Sequence, residues 1–73
     1  MAIKERKERE KQDMRNLIIE SATQLFLKQG YDKTSIRSIA EDIEYSPATI
    51  YLYFKDKDEI FYVIHENAFA LLE

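Results

Sequence analysis

The chain has no cysteine, a single glycine, a single proline and no excess of positive charge. Each shortage excludes something. Without thiols there is neither a disulfide framework nor a thiolate zinc site to reinforce a small domain; a reducing cytosol suits such a chain, so the expected location is cytoplasmic. One glycine and one proline leave little material for turns and point to an all-α fold. No run approaches the ~18 apolar residues of a membrane span, and the N-terminal MAIKERKEREKQDMR has charges with no apolar stretch behind them. Neither a membrane partner nor an export signal is therefore expected. The net charge of −3 argues against indiscriminate nucleic-acid binding, because most non-specific affinity comes from neutralised phosphates.

What is present is amphipathic helix. At 73 residues the chain makes one small domain, and a chain of about 60 residues buries only about 60% of its unfolded surface. Met14, Leu17, Ile18, Ala22, Leu25 and Phe26 form a helical stripe that Gly30 can end in a left-handed conformation. Upstream lies a charge-mixed segment, either helix extension with Glu5 and Arg9 paired one turn apart or a disordered arm. Thr34 is the expected N-cap of a second helix of about two turns, with Ile36, Ile39, Ala40 and Ile43 on its apolar face. Ser46 caps a third helix, Pro47 takes its first position, and the helix is expected to reach about Phe54. Asp56 then caps a fourth, with Glu59 three residues on, and Ile60, Ile64, Ala68 and Leu71 or Leu72 carry its apolar side to the last residue. An end inside a helix predicts that the chain is part of a longer protein.

Two short helices across a tight turn, the second opened by Ser46-Pro47, have the layout of a helix-turn-helix DNA reader. Residues 1–13 read as a charged arm or helix extension, 14–56 as the helix-turn-helix domain with its motif at about 35–54, and 57–73 as the start of a linking helix. Ile50 and Phe54 should be buried, with Tyr51 and Tyr53 about 80° to either side at the boundary. The outer face then carries Ala48, Thr49 and Leu52, small or apolar where a solvated helix usually has charge. Such a face suits thymine methyls and close approach to base edges. Thr34 and Ser46 stand at helix N-termini, where amides can bind a phosphate, and Lys57, poorly placed for the helix dipole, invites an outside partner. Local charge is +2 over residues 1–11 but −2 over 35–54, where Arg37 faces Glu41, Asp42 and Glu44. Any DNA contact must rest on a few placed groups.

Nothing assembles a catalytic site, and no cofactor or metal is expected. His65 lacks the second histidine that a zincin helix needs one turn on, since Phe69 stands there. Glu41, Asp42 and Glu44 are too irregularly spaced for a calcium loop and read as a solvated surface. A helical protein-interaction module without DNA binding is the alternative, presenting Leu52, Tyr53 and the fourth helix's apolar face to a protein partner.

The runs TSIRSIA and SPATIYLYFKDKDEI resemble the N-terminal domain of the tetracycline-repressor (TetR) family of bacterial transcription regulators, over roughly Leu17 to Phe61. The most specific parts are Thr49 to Phe54 and Lys57. The resemblance implies a three-helix head whose third helix enters the major groove of double-stranded DNA, and a fourth helix leading to a C-terminal domain. That domain, absent here, would bind a small-molecule effector and form the homodimer of a ligand-responsive repressor on a palindromic operator. It further implies phosphate contacts by Thr34, Ser46, Tyr51, Tyr53 and Lys57, and base-edge or groove contacts by Arg37, Pro47, Ala48, Thr49 and Leu52. Glu44 departs from the family's usual glycine, which predicts a more open turn or a longer second helix. Tyr45, where a smaller apolar residue is usual, adds to the departure.

Overall fold

Helix α1 spans Ala2–Gln29, so the charge-mixed segment continues the first helix. The computed structural model describes the backbone of residues 2–72 and the side chains of residues 10–66; the expected Glu5–Arg9 pair and the positions Ala68, Leu71 and Leu72 fall outside the described side chains. Helix α1 contains neither glycine nor proline and stops at Gly30, whose φ of 91° is left-handed. The Gly30 N–H donates to the Phe26 carbonyl at 3.0 Å. A Cβ there would meet nothing within 4 Å, so glycine is needed for its backbone angle and not for space.

Helix α2 spans Ile36–Ile43, α3 Pro47–Tyr51 and α4 Lys57–Leu72. Their inner faces join α1 in one core of Ile18, Ala22, Ile36, Ile39, Ala40, Ile50, Phe54 and Ile60. Leu17, expected on the buried stripe, lies at its margin and is partly exposed. Ser21 holds a place in the stripe instead; it is buried, and its hydroxyl donates to an Asp42 carboxylate oxygen at 2.6 Å. This charge-assisted bond ties α1 to α2.

The α2 cap differs from expectation. Thr34 is buried, and its hydroxyl donates to the Gly30 carbonyl at 2.9 Å, closing the α1–α2 connection. Ser35 is the N-cap: its Oγ accepts from the Ser38 N–H at 3.0 Å while Ser38 Oγ accepts from the Ser35 N–H at 2.8 Å. Ser35 has the extended backbone of a cap, at φ −128° and ψ 164°, while the Thr34 hydroxyl is committed to Gly30.

The turn after α2 neither opens nor lengthens the helix. Glu44 itself takes the left-handed conformation at φ 63° and ψ 40°. The Tyr45 N–H reaches the Ala40 carbonyl at 2.9 Å and the Glu44 N–H the Glu41 carbonyl at 3.2 Å, a Schellman closure on a non-glycine residue. That conformation costs an L-residue about 1 kcal/mol or more. Glu44→Gly is therefore expected to raise the thermal midpoint by several degrees, since about 1 kcal/mol moves a domain of this size by roughly 4–8 °C. A melt monitored by circular dichroism checks this, and an unchanged or lower midpoint would show that the turn is unstrained.

Helix α3 is shorter than predicted. After Tyr51 the chain tightens, with the Leu52 N–H on the Thr49 carbonyl at 3.2 Å and the Tyr53 N–H on the Ile50 carbonyl at 2.9 Å. These three-residue bonds bring Phe54 down into the core, where the Arg15 guanidinium covers its ring at 4.9 Å. The α4 cap follows the sequence reading: Asp56 Oδ1 accepts from the Glu59 N–H at 2.9 Å, and Glu59 Oε1 from the Lys55 N–H at 3.3 Å.

Candidate nucleic-acid interface

Helix α3 has an inner and an outer flank. Ile50 and Phe54 are buried to 0% and 1% exposure, whereas Pro47 and Ala48 are exposed, Thr49 is half-buried and Leu52 is 80% exposed. No residue of α3 carries a charge. The outer flank is thus a small, open, apolar and hydroxyl-bearing surface on a rigidly seated rod. Of the two tyrosines, Tyr53 is half-buried against the core, as a boundary residue should be. Tyr51 stands further out, 56% exposed.

Ser46 occupies the N-cap position of α3 with extended backbone, but its side chain makes no cap bond. Its Oγ lies 3.2 Å from Thr49 Oγ1 instead. The two hydroxyls share one hydrogen bond at the exposed start of the helix, where Pro47 has no amide N–H and the Thr49 N–H donates to the Ser46 carbonyl at 3.0 Å.

Lys57, expected to await an outside partner, already has an internal one. Its Nζ donates to the Tyr31 carbonyl at 2.8 Å and sits 3.9 Å from the centre of the Tyr31 ring. The first turn of α4 is thereby fastened to the corner between α1 and α2. Phe26, Tyr31 and Phe61 pack edge-on or tilted around that corner at 5.2–5.7 Å between ring centroids. His65 stacks on Phe61 at 6.5 Å, a helix side chain at the edge of the core as expected.

Arg37 extends from α2 with its side chain 83% exposed and touches Glu41 one turn on at 3.5 Å. A surface pair of this kind is held weakly. Thr34, by contrast, offers no hydroxyl to a phosphate, because its side chain is inside the fold and already bonded. Glu41, Asp42 and Glu44 are all exposed, as the solvated reading expects, and Asp42 also accepts the Ser21 hydroxyl.

Sequence reasoning missed Arg15. The residue lies three positions before Ile18, on the buried stripe, and a cation at such a position was the available signal that it meets an aromatic face.

A family model described as "Bacterial regulatory proteins, tetR family" matches residues 18–63. The HTH-type transcriptional regulator HbdR of Aromatoleum sp. (strain CIB) is 40% identical over 62 residues, 85% of this chain and 27% of that protein. The biofilm operon icaADBC HTH-type negative transcriptional regulator IcaR of Staphylococcus epidermidis is 34% identical over 56 residues, 77% of this chain and 30% of its own length. Among solved structures, a TetR/AcrR-family transcriptional regulator from Thermobifida fusca superposes with a TM-score of 0.73 at 40% identity, covering 75% of this chain and 30% of the other. The chain thus spans less than a third of each of these proteins.

Proposed function

The chain belongs to the tetR family of bacterial regulatory proteins, and from that premise we propose that it is the operator-reading head of a cytoplasmic, ligand-responsive transcriptional repressor. The observation that carries this reading is the contrast between the two flanks of α3, one locked into the core by Ile50 and Phe54 and the other open and free of charge. A helix so held can lie in the major groove of double-stranded DNA and present short side chains to base edges.

Pro47, Ala48, Thr49 and Leu52 then meet the bases, with the Thr49 hydroxyl as the polar reader and Leu52 against thymine methyls. Arg37 exchanges Glu41 for a guanine edge or a neighbouring phosphate. Ser46, Tyr51 and Tyr53 take phosphates on either side of the groove. Lys57 acts as a pre-positioned clamp: one ammonium proton is held by the Tyr31 carbonyl, and the others can point to a phosphate without the entropy of ordering a free side chain.

The remaining part of the protein, as the family resemblance implies, forms the homodimer and binds a small effector. A two-fold dimer calls for a palindromic operator with half-sites centred about one helical turn apart, ~34 to 36 Å, or a multiple of it. The IcaR likeness, with its negative regulation, favours repression.

The test is a selection of random duplexes by the intact regulator, followed by salt titration of the winners. The expected result is an inverted repeat bound with a log–log salt slope of about −0.9 per phosphate neutralised. Failure to enrich any sequence, or an affinity indifferent to salt, would replace this reading with that of a protein-interaction module using Leu52 and the α4 surface.

A further inference from the structure

The reading motif is short of cations. Across α2 and α3 the one basic residue is Arg37, already beside Glu41, and Glu41, Asp42 and Glu44 outnumber it. Since duplex affinity comes largely from neutralised phosphates, a head of this composition needs cations supplied from another element that stands next to α3.

Helix α1 supplies them. Lys11, Gln12 and Arg15 line one open cavity of about 450 Å³ together with Leu52 and Tyr53, at the C-terminal end of the reading helix. A second cavity of about 400 Å³ shares Lys11, Leu52 and Tyr53 and adds Glu10 and Met14. Lys11 and Arg15 are one helical turn apart and so share a face. Among the described residues neither is seen in an ion pair; Glu10, which lines the second cavity, has a partner of its own, and Asp13 lines neither cavity.

Arg15 is also fixed in place. Its guanidinium carbon lies 4.9 Å from the centre of the buried Phe54 ring, a cation–π contact that holds the group beside the end of α3. The fork of N–H donors that a guanidinium carries matches phosphate oxygens, whereas a lysine alone would act as a point charge. Gln12 adds an amide donor, Lys11 adds charge at the rim, and Leu52 and Tyr53 form an apolar floor. We propose that Lys11, Gln12 and Arg15 form a phosphate rail that takes the DNA backbone flanking the bases read by α3. The rail rests on the DNA-reading function proposed above and extends the contact surface to the first helix.

Lys11→Ala is the primary test, because Lys11 is exposed and its loss leaves the core intact. Fluorescence anisotropy titrations of the intact regulator across a salt series, on the selected operator and on an unrelated duplex, read the effect. The variant should lose affinity for both duplexes by the same factor, its salt slope should fall by about 0.9 per subunit bound, and Lys11→Arg should restore both. Shortening the operator so that the flanking phosphates are gone should bring parent and Lys11→Ala together. Equal slopes for parent and variant on the long operator would overturn the rail. So would a loss confined to one base sequence, which would put Lys11 on base edges. In either case a parent that still binds its operator leaves the DNA-reading function standing; a parent that binds no duplex removes both.

Discussion

Truncation of Phe54 to alanine should cost about 3–5 kcal/mol, the usual range for deleting a buried aromatic ring. The ring is 1% exposed and lies in the core with Ile18, Ile39, Ile50 and Ile60. Arg15 would lose the surface that it covers, and the tight turn after Tyr51 would lose the side chain that draws it inward. A domain of this size holds only a small margin of stability, and about 3 kcal/mol corresponds to a fall of roughly 12 °C or more in its thermal midpoint. Circular dichroism melting is the measurement, with loss of a cooperative transition as the extreme outcome. A fall of only a few degrees would mean that α3 is seated by something other than this anchor.

Ala48→Glu should give the opposite pattern. Ala48 is exposed and lies outside the core cluster. A glutamate one position after Pro47 sits in the first turn of α3, where the helix dipole accepts negative charge, so the melting midpoint should stay near that of the parent. In the proposed groove complex, however, the same carboxylate would face base edges and two rows of phosphates. Juxtaposed like charges cost several kcal/mol, so operator affinity should drop at least about a hundredfold. Titration of a folded variant that binds as tightly as the parent would place the α3 flank away from DNA.

The contrast between these variants reflects what a sequence makes legible. The spacing of Ile50 and Phe54 against Ala48 and Leu52 shows which side of the third helix is inside, because 100° per residue is a local property. Gly30 and the Asp56–Glu59 pair were equally readable, since each satisfies backbone groups within a few residues. Thr34 and Ser35 were not separable: both carry hydroxyls, and the first is taken up by its buried bond to Gly30, leaving the second as the cap. Glu44 was misread because local strain argued for a different turn, while the packing of α2 against α3 holds the closed one. The Ser21–Asp42 and Lys57–Tyr31 bonds join residues 21 and 26 positions apart, beyond any window in which periodicity speaks. For the candidate site, the open flank of α3 was visible in the sequence; the approach of Lys11 and Arg15 of α1 to the end of that helix was not.

The absence of acidic and basic side chains from α3, the proposed reading helix, also bears on how the protein would find its target. A chromosome offers about a million or more wrong positions for every right one, and a strongly cationic reader is titrated away by them. A reader that keeps its few cations at the margins would dwell only briefly on each wrong position. A small number of copies per cell would then keep one promoter occupied, and raising cellular salt would free the wrong positions before the right one.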